Sequence, residues 1–95
     1  MKKYKLSNVA EKDILRIYLY GMATFGPHQA DIYFDSLFSC FEKIAAYPYA
    51  FESVDYIKNG YRRCVCGSDS IYFRIVDNFV EIMTIIGRQN IDSSF

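Results

Sequence analysis

The chain is poor in the residues and motifs that make enzymes recognisable. It holds one histidine among 95 residues. It has no Gly-rich phosphate loop, no His-Glu-x-x-His and no Gly-x-Ser-x-Gly, so the common routes to phosphate, zinc and acyl chemistry are missing. His28 stands alone beside Pro27 at a helix start and reads as a surface residue rather than a general base. Asp55 and Asp69 each lack a second carboxylate at a spacing that would bring the two together. No catalytic residue and no cofactor is expected. Net charge is also lacking: 11 Lys and Arg balance 11 Asp and Glu. No whole-protein drive toward nucleic acid exists, any such binding must be local, and no sequence-specific nucleic-acid partner is expected. The apolar runs are too short and too charged to span a bilayer, so no membrane partner is expected. Met1-Lys2-Lys3-Tyr4-Lys5-Leu6-Ser7 has basic residues but no apolar h-region. A cytoplasmic protein is expected.

Cysteines number three, an odd count. Cys64 and Cys66 lie two apart on an expected strand and point the same way. A disulfide between them is disfavoured by that geometry and by a reducing compartment. Cys40 and His28 are too few to complete a metal site with them, and no metal is expected.

What the chain has in plenty is aromatic and apolar side chains: 52% of residues are apolar, with nine tyrosines and eight phenylalanines. That composition argues for one well-packed domain over residues 1–95. From Gly60 to Arg88, three runs rich in β-branched and aromatic residues are separated by Gly67-Ser68-Asp69 and by Asp77-Asn78. This spacing predicts a three-stranded antiparallel meander. Val80, Ile82, Thr84 and Ile86 are expected on one face of its last strand, and Phe79, Met83 and Ile85 on the other. A strand apolar on both faces belongs inside a sheet.

Upstream, Lys3 to Ser7 alternates and predicts a short first strand. Asn8 with Glu11 three residues on has the form of a capping box. Ile14, Ile17, Tyr18, Gly21 and Phe25 follow at helical spacing. Gly26-Pro27 ends this helix and opens a second, whose stripe runs through Ala30, Tyr33, Phe34, Leu37, Phe41 and Ile44 to Tyr47-Pro48. Residues 48–59 predict a loop with at most a short extra turn. The fold class is therefore α+β: a strand, an α-helical hairpin, then a three-stranded meander, with the helices on one face of a single sheet. The expected core is Ile14, Ile17, Phe34, Leu37, Phe41, Phe73, Ile75, Ile82 and Ile86.

Arg62, Arg63, Arg74 and Arg88 are the polar residues that stand out on the sheet. Arg62 and Arg63 must point to opposite faces. Solvated or salt-bridged sheet arginines are one reading. A basic spot for an anionic or protein partner, flanked by Tyr61 and Tyr72, is the other.

These residues, taken in order, resemble the ParE branch of the RelE/ParE toxins of bacterial toxin–antitoxin modules. The likeness lies in three groups. The first is Tyr4-Lys5-Leu6-Ser7 with Ala10 and Asp13-Ile14. The second is Phe25-Gly26, Ala30, Tyr33 and Ala46-Tyr47-Pro48. The third is Gly60-Tyr61-Arg62-Arg63, Gly67-Ser68, Ile71-Tyr72-Phe73-Arg74 and Val80-Glu81-Ile82, closing on Ile86-Gly87-Arg88. The set spans nearly the whole chain.

The resemblance implies a toxin that poisons a bacterial cell, acts in plasmid or chromosome maintenance or stress response, and is held inactive in a hetero-oligomer with a ParD-like antitoxin. The ParE branch implies DNA gyrase as the target. The RelE branch implies a ribosome-dependent mRNA endoribonuclease, and a degenerate member would only bind antitoxin. This chain has Ser70 where RelE-type nucleases tend to place an arginine. After Arg88, its tail has no tyrosine, histidine or lysine. RNA cleavage would lose its second cation and its acid or base, which favours gyrase. Target contact is expected from Arg62, Arg63, Arg88 and Phe95. Small toxins of this shape leave apolar surface that an amphipathic partner helix or strand can cover. Both helices carry more apolar residues than one stripe needs, so antitoxin contact is expected at Tyr18, Tyr20, Met22 and Tyr33.

Overall fold

The computed structural model describes residues 3–87. Strand β1 (Tyr4–Leu6) leads into helix α1 (Asn8–Phe25) and helix α2 (Pro27–Ala46). A single 3-10 turn (Pro48–Ala50) and a two-residue strand β2 (Glu52–Ser53) follow. The meander is β3 (Tyr61–Cys66), β4 (Asp69–Val76) and β5 (Phe79–Gly87). Together the strands form one sheet in the order β1-β5-β4-β3-β2, antiparallel except that β1 runs parallel to β5. The expected α+β class stands, with both helices on one sheet face. Among the described residues no helix is long and apolar enough to cross a membrane.

The local chemistry explains the elements. Ser7, one residue before the expected cap, closes the N-terminus of α1: its Oγ accepts from the Ala10 amide at 3.0 Å. Asn8 is already helical. Ser7 wins because its hydroxyl also donates to the Met83 carbonyl at 2.7 Å, tying the helix start to β5. Gly26, at φ 89°, ends α1 by donating to the Met22 carbonyl at 3.1 Å, and Pro27 opens α2 with a preset φ. In the β4–β5 turn Asp77 takes φ 53°, as a two-residue hairpin turn of this hand requires.

Ala10, Ile14 and Ile17 on α1 and Leu37, Phe41 and Ile44 on α2 are buried against Ile71, Phe73, Val80, Ile82 and Ile85 of the sheet. Phe41 is fully buried, and removing its ring would cost about 3–5 kcal/mol. The opposite sheet face has its own smaller cluster of Val54, Tyr61, Tyr72 and Ile86, with Ile57 and Met83 packed against it.

Three expectations about the core change. Ile86 lies in the second cluster, not under the helices, and Ile85 takes its place. The reason is a β-bulge: Tyr72 pairs with Thr84 and Phe73 with Ile82, so Met83 is an extra residue and alternation slips by one. Phe34 is 36% exposed, because it faces an open groove under the hairpin rather than the closed core, with its ring centroid 4.8 Å from that of Phe38. Ile75 is only partly buried, near the turn end of β4, although it packs on the main core. The segment 48–59, expected as a loop, also contributes a fifth strand through Glu52↔Arg63 and Ser53↔Arg62.

Candidate functional site: an open groove beneath the helical hairpin

The C-terminal half of α1 and the N-terminal half of α2 extend to the end of the sheet where β4 begins and β5 finishes. Beneath them lies a groove of about 680 Å³. Ile17, Gly21 and Ala30 line its helical side, and Ser68, Asp69 and Gly87 line its sheet side. The helices approach closely here: a Cβ at Gly21 would stand 3.5 Å from the Ala30 Cβ, an ordinary van der Waals contact that leaves room for alanine. Phe25 and Tyr20, 66% and 65% exposed, also line the groove, with ring centroids 6.5 Å apart, edge to face. An apolar lining this exposed is a surface built to be covered.

Tyr33 forms the tie between the helices and the sheet end. Its hydroxyl donates to the Asp69 carboxylate at 2.6 Å and lies 2.8 Å from the Cys66 carbonyl oxygen. Burial, then the bond to Asp69, holds its phenol above the ordinary range, so it stays a neutral donor. Gly67 is shaped by this ring: it sits at φ 60°, and a Cβ there would meet Tyr33 Cε1 at 2.7 Å. Tyr18, which also lines the groove, donates to Asp31 at 2.6 Å and turns its ring edge to Phe34 at 5.5 Å.

Three of the four residues expected to meet the antitoxin therefore line this groove: Tyr18, Tyr20 and Tyr33. Met22 is 38% exposed and lies outside the lining. Sequence reasoning missed Gly21, Phe25, Asp69 and Arg16 as lining residues. Arg16 reaches past the helix to donate to the Ile85 carbonyl at 3.2 Å and pairs with Asp13 at 3.4 Å. Asp13 in turn accepts from Thr84 Oγ1 at 2.6 Å and from the Ile85 amide at 3.0 Å. Side chains of α1 thus serve the β5 edge beyond the end of β1, where no strand of the described residues pairs.

The arginines are placed differently. Arg62 and Arg63 leave β3 on opposite faces, as alternation requires, and each holds the segment before it. Arg62 donates to the Phe51 carbonyl at 2.7 Å with its guanidinium 5.1 Å from the Tyr49 ring centroid. Arg63 donates from Nε to Glu52 at 2.6 Å and also approaches the Tyr72 hydroxyl. Arg74 pairs across strands with Glu81 at 2.8 Å. Arg88 and Phe95 lie outside the described residues. Among the described residues no cluster of histidine, cysteine and carboxylates is arranged to hold a metal.

A helical hairpin laid on one face of a small, mainly antiparallel sheet, with an apolar groove left open beneath its tip, defines a compact α+β domain. The chain belongs to the ParE toxin family of type II toxin–antitoxin systems: the family described as "ParE toxin of type II toxin-antitoxin system, parDE" matches residues 4–91. It is 35% identical over 75 residues to Toxin ParE1 of Caulobacter vibrioides, covering 79% of this chain and 78% of that one. Its fold matches a chain of the chromosomal ParDE toxin–antitoxin system from P. aeruginosa with a TM-score of 0.81, over 92% of this chain and 96% of the other, at 18% identity.

Proposed function

We propose that this toxin acts by binding, inhibiting DNA gyrase in the cytoplasm without chemistry of its own, and that a ParD-like antitoxin neutralises it in a hetero-oligomer. The observation that carries the antitoxin half is the open groove. Its floor is the apolar underside of the hairpin, and its rim carries the exposed rings of Tyr20 and Phe25. An amphipathic helix presenting apolar residues at i, i+3/4 and i+7 fits such a surface. The solved chain that shares this fold comes from a ParDE toxin–antitoxin system, which supports an antitoxin as the partner.

The gyrase half rests on the family resemblance and on the residues available. Ser70 stands where RelE-type nucleases tend to place an arginine, and the tail after Arg88 has no tyrosine, histidine or lysine to serve as second cation, acid or base for RNA cleavage. Target contact is assigned to the Arg62–Arg63 end of β3 together with Arg88 and Phe95. The deciding experiment gives purified toxin two substrates, supercoiling by gyrase and mRNA on translating ribosomes. Inhibited supercoiling, or gyrase trapped on broken DNA, with intact mRNA is the expected result. Cut mRNA with unaffected gyrase would establish the endoribonuclease reading instead. Failure in both assays, with antitoxin still bound, would mark a member that has lost its target.

A further inference from the structure

The three cysteines, distant in sequence, converge on one seam. Cys64 and Cys66 alternate with Val65 on β3, so both face the helices, and both are buried at 6% and 5% exposure. The Cys66 thiol donates weakly to the Ser36 carbonyl of α2, with sulfur and oxygen 3.7 Å apart. One helical turn further on, on the same side of α2 as Ser36, Cys40 packs against the same cluster. Cys40 is the half-buried member and the other two are closed off. All three are free thiols, and the binding function proposed above uses none of them.

We propose that this seam is an oxidation site, at which hydrogen peroxide converts Cys40 and one of the two β3 thiols into a disulfide that staples α2 to β3. The balance is simple. The Cys40 sulfur, as thiolate, attacks one peroxide oxygen and becomes a sulfenic acid. The hydroxide released takes up the proton that Cys40 gave and leaves as water. The neighbouring thiol then gives up its proton, its sulfur bonds to the Cys40 sulfur, and the sulfenic oxygen departs as a second water. Two thiols and one peroxide give one disulfide and two waters.

Position sets the order of events. Peroxide reaches Cys40 first because the other two sulfurs face the core. Burial also pushes the Cys64 thiol up to about 11 and the Cys66 thiol up to about 12, so they wait as thiols and resolve the sulfenic acid. The Tyr33 hydroxyl rests beside the Cys66 carbonyl. The staple would therefore stiffen the wall that also lines the groove.

The test uses the full chain, treated with a modest excess of hydrogen peroxide and then alkylated under denaturing conditions. Intact mass should show the loss of two hydrogens and one remaining alkylated cysteine. Peptide mapping should join the Cys40 peptide to the one carrying Cys64 and Cys66. Cys40→Ser should abolish the loss of two hydrogens, and each of Cys64→Ser and Cys66→Ser should keep it through the remaining thiol. Circular dichroism of each variant checks that it has folded. A Cys64–Cys66 link surviving in Cys40→Ser, cross-linked dimers, or Cys40 carrying two added oxygens with no link would each overturn the proposal. So would three fully alkylated cysteines after treatment of the wild-type chain.

Discussion

The Tyr33 hydroxyl of α2 meets the Asp69 carboxylate at the head of β4 at 2.6 Å, and this contact ties the hairpin to the far end of the sheet. Asp69 is buried, so its carboxylate oxygen relies on that donor for a hydrogen bond. Tyr33→Phe keeps the ring and deletes the proton. It should lower the unfolding free energy by about 1–3 kcal/mol, the cost of leaving a buried acceptor unpaired. Urea denaturation with an unchanged m-value is the measure. A loss below about 0.5 kcal/mol would mean that water replaces the phenol without penalty.

Asp13 offers a second case. One carboxylate oxygen serves both Thr84 Oγ1 and the Ile85 amide, beyond the reach of β1, whose pairing with β5 ends at Ile82. Asp13→Ala should cost about 1–3 kcal/mol, and Asp13→Asn, which keeps an acceptor, clearly less. Hydrogen exchange at the Ile85 amide provides the specific readout: it should accelerate in the alanine variant more than amides in the middle of α2 do. Equal acceleration at both places would show a general loosening rather than a freed edge.

Alkaline pH should weaken the fold, and the sign follows from the thiols. Burial raises Cys64 from 9.0 to about 11 and Cys66 from 9.0 to about 12. The unfolded chain therefore loses these protons before the folded chain does. Their contribution is fully present below pH 9 and is lost as pH climbs toward 11 and then 12. Tyr33, also raised, adds a loss of the same sign from pH 10 upward. Stability measured at pH 8, 9 and 10 should fall, and the fall should shrink in the Cys64→Ala/Cys66→Ala double variant. An unchanged slope in that variant would assign the effect elsewhere.

Exposure separates binding from folding in the groove. Tyr20 is 65% exposed, and its ring meets Phe25 edge to face. Tyr20→Ala should shift stability by no more than about 0.5 kcal/mol. It should weaken a ParD-like antitoxin by at least tenfold, about 1.4 kcal/mol, as loss of an aromatic ring that the partner covers does. Titration calorimetry on both proteins tests it. Full affinity in Tyr20→Ala would move the antitoxin to another surface.

The arginines should divide by role. Arg62 holds the Phe51 carbonyl and covers the Tyr49 ring, so Arg62→Ala should cost about 1–2 kcal/mol of folding free energy as well as any target binding. Arg88→Ala, just beyond β5, should reduce toxicity while leaving antitoxin affinity and thermal stability nearly unchanged, with a folding cost of about 0–1 kcal/mol. If instead Arg88→Ala abolished cutting of ribosome-bound mRNA, the protein would be a nuclease.

The meander was legible because its two turns carry explicit chemistry. Gly67-Ser68 and Asp77-Asn78 sit between the strands where their backbones are needed, Gly67 and Asp77 both at positive φ. The helices were legible from their period. The bulge at Met83 was not, because an inserted residue leaves the composition of a strand unchanged and only shifts its phase. That phase shift exchanged Ile85 for Ile86 in the core. The short strand β2 was hidden for a different reason: two residues carry no period, and Arg62 and Arg63 hold the segment from outside it. In the groove, the excess of aromatics on the helices pointed to Tyr18, Tyr20 and Tyr33. Asp69 and Gly87 come from strands far along the chain, and only the tertiary fold places them opposite.

The parallel pairing of β1 with β5 has a consequence for how the protein comes into being. Ser7 and Met83, joined through the Ser7 hydroxyl, are 76 positions apart, so the first strand must wait for the last. At about 5–20 residues per second of synthesis the wait is roughly 4–15 s. Through that interval the hairpin has no strand β5 beneath it, and Ile14, Ile17, Leu37 and Phe41 have none of Val80, Ile82 and Ile85 to pack on. Contacts this distant in sequence also slow folding itself. The nascent toxin therefore passes through a stage of bare hairpin, aggregation-prone and open to capture by whatever apolar segment arrives first.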